Sequence, residues 1–249
     1  MVTAALTALL CAAALFRHEP PPAGDHVEAD TLAANDTGTR IVMFVQRSEA
    51  VGFSGSVLAA RDGQVIAAAA AGFADIRQTE PNTPATLFEL ASVTKQFTAA
   101  AMLRLAEQGK LTLDDPISKH LPGVPEDCSA ITIRHLLQHT SGIPGGNSQG
   151  SGFDLAKVLP TFLRGGPQHP PGSHWEYWNQ GYPLAAEIIA RAPGSSYMAY
   201  TREEVFLPAG MRLTRFTGDM PLNGEPVAFG RSSFGRPRSA FAHPYGAYG

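Results

Sequence analysis

Two short apolar runs near residue 60 set the first element pattern. FSGSVLAA (53–60) reads as a strand, RDG (61–63) as a turn, and QVIAAAAAG (64–72) as the returning strand. Asp62-Gly63 supplies residues that tolerate positive φ, the chemistry a tight hairpin needs. TLFELA (86–91) reads as a short extended approach to the next element. From Ser92 to Gln108 the period changes: Val93, Phe97, Ala100, Leu103 and Leu105 recur at helical spacing, with Gly109 placed to end the helix. LTLDDPISKHLP (111–122) predicts a loop with a short helix. TIRHLLQHTSGIP (132–144) predicts a short helix stopped by Gly142 and Pro144. Further helices are predicted over 154–166, broken or kinked by Pro160, over 180–192 and over 195–210. Periodicity fades after about residue 212. A lone hairpin is marginal in water, so another element should complete the sheet, yet no later segment has comparable strand character.

The only long apolar stretch is VTAALTALLCAAALF (2–16), too short to span a bilayer comfortably. It resembles the apolar region of a secretory signal over 1–17, without the usual basic start. That predicts a periplasmic or secreted protein with no stable membrane span. The next segment, RHEPPPAGDHVEAD, is Pro-rich and polar, and residues 18–40 read as a linker. Hydrophobic content of 44% and charged content of 16% indicate a globular chain. A net charge of -3 offers no basic field for nucleic acid. Cys11 and Cys128 form no C-x-x-C pair, so neither a zinc knuckle nor a redox motif is expected. Cys11 lies in the apolar run, whose removal would leave Cys128 alone, so no structural disulfide is expected and Cys128 reads as a small buried or loop residue.

Chemistry concentrates in ASVTKQF (91–97). Ser92 and Lys95 stand three residues apart on one helix face, so the lysine can reach the hydroxyl. A serine becomes a nucleophile only when a base takes its proton. The same residues also fit a helix cap followed by a solvated lysine. HWEYWNQGY (174–182) adds Tyr177 and Asn179. A phenol beside an ammonium ionises more easily and can shuttle protons, and an amide two residues on can hold both a lysine and a substrate carbonyl. Tyr177 also fits an aromatic core with Trp175, Trp178 and Tyr182. His135 and His139 are four apart on a short helix but have no third ligand or H-E-x-x-H pattern, so no metal or other cofactor is predicted. Asp114 and Asp115 read as loop or cap residues.

As a set, FSGSVLAARDGQV, TPATLFELASVTKQFTAAAMLRLAEQGKLTLDDPISKHLP, ITIRHLLQHTSGIP and WEYWNQGYPLAAEIIA resemble the serine β-lactamase-like superfamily. That superfamily takes in class C β-lactamases, D-alanyl-D-alanine carboxypeptidases and related esterases. The resemblance runs from about residue 50 to 215. It implies an α+β, β-lactamase/transpeptidase-like fold, with an antiparallel sheet flanked by helices and a helical domain. It implies Ser92 as the acylated nucleophile, Lys95 as its general base or that base's electrostatic partner, Tyr177 as proton shuttle and Asn179 as orienter of Lys95 and substrate. The Ser92 N–H would be one oxyanion donor, and His139 would belong to a structural turn and bond backbone. The substrate would be a small molecule or a peptidoglycan peptide: a β-lactam, a D-Ala-D-Ala peptide or an ester.

The family's third motif, K-T-G or H-x-G on a late strand, has no counterpart: HPYG (243–246) has the wrong spacing and no strand pattern around it. The expected organisation over 41–249 is therefore an incomplete domain lacking its C-terminal strands. It divides into an α/β part (41–95), a mainly helical part (96–215) and an irregular tail (216–249). Two functional readings remain, a serine hydrolase and a catalytically incompetent fragment or binding protein.

Overall fold

The computed structural model describes residues 31–75, 77–145, 155–216 and 228. The segment expected to be a signal, Cys11 and HPYG lie outside the described residues. The chain divides into two units, one holding the described part of Pro21–Glu89 and the other the described part of Leu90–Asp219.

In the first unit the predicted hairpin is present as β2 (Gly55–Arg61) and β3 (Gln64–Ala71). Asp62 (φ 51°) and Gly63 (φ 77°) turn it through two left-handed residues. The strands pair antiparallel from Gly55–Ala71 to Arg61–Gln64, with a register irregularity at Ala59/Ala60. The third strand comes from upstream: β1 (Leu32–Ala33) pairs antiparallel with β3, giving the order β1-β3-β2. Residues 32–33 and 36–40, read as linker from their polar neighbourhood, are instead structured, because helix α1 spans Asp36–Ser48. Asn35 caps α1 by accepting the Gly38 N–H at 2.9 Å, and Asp36 complements the positive end of the helix. Val42 and Val45 bury against the alanines of β3, with Ile41, Val57 and Ala59 packed at the margin. The approach is close enough that a Cβ on Gly38 would collide with the Ile66 carbonyl. An open groove of about 520 Å³ between α1 and β2 is lined by Ile41, Phe44, Phe53 and Val57 among others.

The second unit is helical among its described residues. Its elements are α2 (Lys95–Glu107), α3 (Ile133–Gln138), α4 (Leu155–Phe162), α5 (Gly181–Arg191) and α6 (Tyr197–Thr201). A wide turn at Arg202–Phe206 continues α6. Met102 and Leu105 of α2, Leu136 of α3 and Leu184, Ile188 and Ile189 of α5 are fully buried in one core with Trp178 and Tyr197. Pro160 sits inside α4 without ending it, and its own position is exposed. Helix α3 ends earlier than Gly142: His139 itself takes the left-handed conformation (φ 58°, ψ 40°) that terminates it. Cys128 is buried and unpaired, and burial together with the nearby Asp127 carboxylate pushes its thiol up to about 12. It is thus held as an unreactive thiol. No helix among the described residues is long and apolar enough to cross a membrane.

Asp115 ties the loop before α3 together. Its carboxylate accepts hydrogen bonds from Thr112 N–H (3.1 Å), Thr112 Oγ1 (3.0 Å), Lys119 Nζ (2.9 Å) and His120 Nε2 (3.0 Å). Asp114, beside it, makes a two-pronged pair with Arg134. Burial alone would raise the Asp115 carboxyl, but the donors outweigh it and hold it well below the usual carboxylate range. The folded state thus favours the anion. Its stabilisation is complete above the ordinary carboxylate pKa and is lost as pH falls through the lowered folded value. Asp115→Ala is expected to cost about 2–3 kcal/mol in urea unfolding at neutral pH, because buried charge-assisted hydrogen bonds disappear together. The difference between variant and wild type should shrink in strong acid.

Candidate active site

The site is built on the entry to α2. The chain turns through Ala91 at φ 48°, passes through one tight helical turn (Ala91–Thr94) and becomes regular at Lys95. That turn leaves Ser92 exposed while Lys95 points inward at 6% exposure. Lys95 Nζ donates to Ser92 Oγ at 3.0 Å, so the spacing read from the sequence brings the pair together. The capping alternative is not what the geometry shows: the turn that begins at Ala91 has no side-chain cap.

Tyr177 arrives from an irregular segment 85 residues further on, and its phenol donates to Ser92 Oγ at 2.9 Å. One serine oxygen therefore accepts two donors that can each carry a proton. Lys95 Nζ lies 5.2 Å from the Tyr177 ring centroid and 5.4 Å from that of Tyr182. The buried head of Lys95 thus stands against two π faces. Burial raises the Tyr177 phenol, but hydrogen bonding with Lys95 and Ser92 and the lysine's charge outweigh it, so the phenol is held below the ordinary tyrosine value. Tyr182, read from the sequence only as a core aromatic, donates its hydroxyl to Leu137 O at 3.0 Å, and burial raises it. Two tyrosines around one lysine are thus pushed in opposite directions. Trp178 is buried in the core, so the aromatic cluster splits: Trp178 packs, while Trp175 and Tyr177 face outward.

Asn179 is half-buried two residues after Tyr177, and its carbonyl accepts the Tyr182 N–H at 3.2 Å at the start of α5. His135 and His139 do not converge on a common ligand position. His135 Nδ1 accepts the Thr132 N–H, completing the cap of α3, and His139 Nδ1 accepts the Trp178 N–H. No group of three His, Cys, Asp or Glu side chains suited to a metal ion occurs among the described residues.

A serine hydroxyl gripped by an amine and a phenol, at the start of a helix that follows a small antiparallel sheet in the sequence, is an arrangement suited to acyl transfer. The beta-lactamase family model matches residues 43–239, and the chain belongs to that family. Its fold is β-lactamase/transpeptidase-like. Penicillin-binding protein 4* of Bacillus subtilis strain 168 is 38% identical over 173 residues, covering 66% of this chain and 38% of its own length. The D-amino acid amidase of Ochrobactrum anthropi SV3, solved with D-phenylalanine, aligns with a TM-score of 0.68 at 29% identity, over 80% of this chain and 58% of that one. EstCE1, described as a hydrolase with promiscuous acyltransferase activity, aligns with a TM-score of 0.69 at 25% identity, over 85% of this chain and 68% of that one. The chain spans 34 to 41% of the length of the first curated relatives it matches.

Proposed function

We propose that this chain carries a serine hydrolase site that works through an acyl-Ser92 intermediate. The observation that supports it most is the double grip on Ser92 Oγ by Lys95 and Tyr177. In the proposed cycle the Lys95–Tyr177 pair first gives one proton to solvent, leaving a phenolate beside an ammonium or a phenol beside a free amine. This pair takes the Ser92 proton as Oγ attacks the substrate carbonyl. The same pair gives a proton to the leaving group as its bond to the acyl carbon breaks. Water then adds to the acyl-serine by the reverse proton path, releasing the acid and restoring the hydroxyl. The Ser92 N–H, at the entry to the helix, would donate to the developing oxyanion, and Asn179 would orient Lys95 and the substrate carbonyl. Within the class β-lactam, D-Ala-D-Ala peptide or small ester, the ester or peptide substrates are favoured over a dedicated lactamase role. The matched stretches are common to the whole superfamily, and the relatives include an amidase and a hydrolase with acyltransferase activity. The proposed setting is periplasmic or secreted, on the strength of the apolar segment 2–16.

A second reading, a catalytically incompetent fragment or a binding protein of the same family, rests on the third motif: K-T-G does not occur in the sequence. Loss of one oxyanion donor costs about 100-fold or more, so a site working without a second donor would be slow. Intact-protein mass spectrometry after incubation with a penicillin and, separately, a fluorophosphonate separates the two. An adduct on wild type that is absent from Ser92→Ala supports the hydrolase, and the reagent that reacts sorts lactam from ester chemistry. Folded protein that takes neither reagent supports the second reading.

A further inference from the structure

Tyr177 is 41% exposed and lies in a segment with no regular secondary structure, yet its phenol meets Ser92 Oγ at 2.9 Å. Something other than a helix or strand must hold it. The two residues that flank it both donate their backbone N–H groups to one residue. Glu176 N–H goes to the His139 carbonyl (2.9 Å), and Trp178 N–H goes to His139 Nδ1 (3.1 Å). The His139 ring then packs against the Tyr177 ring at 4.5 Å between centroids, with Tyr182 at 5.3 Å and the edge of Trp175 at 6.2 Å. The left-handed conformation of His139 is what aims its carbonyl and its ring at the same short segment.

We infer that His139 is a positioning residue for Tyr177: as a neutral imidazole it fixes, through the Trp178 N–H and its own carbonyl, the stretch of backbone that presents the phenol to Ser92. An accepted N–H at Nδ1 requires the lone pair there, which places the ring proton on Nε2. Protonation of the ring would turn Nδ1 into a donor facing another donor, and the clamp would open on the Trp178 side. Burial and one charged neighbour oppose that protonation. Lys95 of α2 carries a like charge against the same aromatic cluster. Tyr177 and Tyr182 present phenols, and the Glu176 carboxylate is taken by the Gly145 N–H. On His139's own helix, Arg134 is paired with Asp114 and the His135 ring faces Thr132. Burial first, and the Lys95 charge second, hold the imidazole below its ordinary value. The clamp is therefore closed at neutral pH and opens on acidification.

This inference rests on the proposed acyl-Ser92 chemistry for its kinetic readout, but its structural readout does not. Two variants of the full chain divide the possibilities. His139→Asn keeps an acceptor near Nδ1 and suits the left-handed backbone, whereas His139→Phe keeps a ring and loses the acceptor. Labelling of Ser92 by a fluorophosphonate is expected to slow about tenfold or more in His139→Phe and to recover most of that difference in His139→Asn, because misplacing a proton-transfer group forfeits part of its effect. In parallel, NMR of ring-labelled tyrosine, assigned with Tyr177→Phe, should show the Tyr177 titration moving up toward the ordinary tyrosine range in His139→Phe and staying low in His139→Asn. Nitrogen NMR of the wild type should show His139 as the Nε2–H tautomer at neutral pH. If wild type is not labelled, the acyl proposal fails, while the tyrosine titrations still decide the role of His139. If His139→Phe does not fold, the wild-type tautomer and His139→Asn decide it. The inference is overturned by an unmoved Tyr177 titration in folded His139→Phe, by the Nδ1–H tautomer, or by His139→Asn failing as badly as His139→Phe.

Discussion

Replacing Ser92 with alanine is expected to lower hydrolysis of an activated ester by on the order of 10⁴-fold or more, since removing a nucleophile removes the covalent path entirely. The fold should not suffer. Ser92 is exposed, and its side chain touches the rest of the protein through two hydrogen bonds that it accepts. Lys95 loses one of those partners but keeps the two tyrosine rings, so the stability change should stay within about 1 kcal/mol. Turnover measured with a chromogenic ester, alongside a urea melt, tests both halves. A variant as active as wild type would remove Ser92 from the mechanism, and a variant that unfolds would mean that the hydroxyl is structural.

Tyr177→Phe separates the ring from the hydroxyl. The ring's contacts with His139 and Lys95 survive the change, while the hydrogen bond to Ser92 and the phenol's proton do not. The expected loss in acylation rate is about 10²- to 10⁴-fold, the usual contribution of a positioned proton-transfer group. If the phenylalanine variant keeps full activity, Lys95 acts alone. The pH profile carries a second test. Tyr177 ionises more readily than an ordinary tyrosine, so activity that needs its phenolate should rise along a limb centred below 10.0 and fall as pH drops through that limb. Lys95→Ala deletes both the hydrogen bonding and the charge that lower the phenol, so any residual activity should show the limb displaced to higher pH.

Much of this site could be read along the chain because its key pair is local. Three residues of helical spacing join Ser92 to Lys95, and no tertiary information is needed to place them on one face. Tyr177 was legible only through the likeness of whole segments, since nothing local says that a loop 85 residues away will return to Ser92. The role of His139 was hidden for a related reason. Its carbonyl and ring act on the loop that carries Tyr177, and a left-handed histidine leaves no mark in hydrophobic periodicity. The hairpin was legible because Asp62-Gly63 fixes its turn. Helix α1 was not: its apolar face is narrow, and it comes directly after polar, Pro-rich sequence. Asn35 with Asp36 was the available signal, a cap followed by an acidic first turn. The sheet's third strand was missed because two residues are too few to show an alternating pattern, and β1 exists only because β3 is there to receive it.

Ala91 holds strain directly ahead of Ser92. Its φ of 48° places a residue with a Cβ in a region that costs about 1–2 kcal/mol. Selection for heat resistance would therefore find Ala91→Gly attractive, because glycine removes that strain at a smaller cost in unfolded-chain freedom. The same change would loosen the turn that aims the hydroxyl. A higher melting temperature with slower labelling of Ser92 is the expected pair of results, and it would make this single position a place where durability and catalytic speed are exchanged.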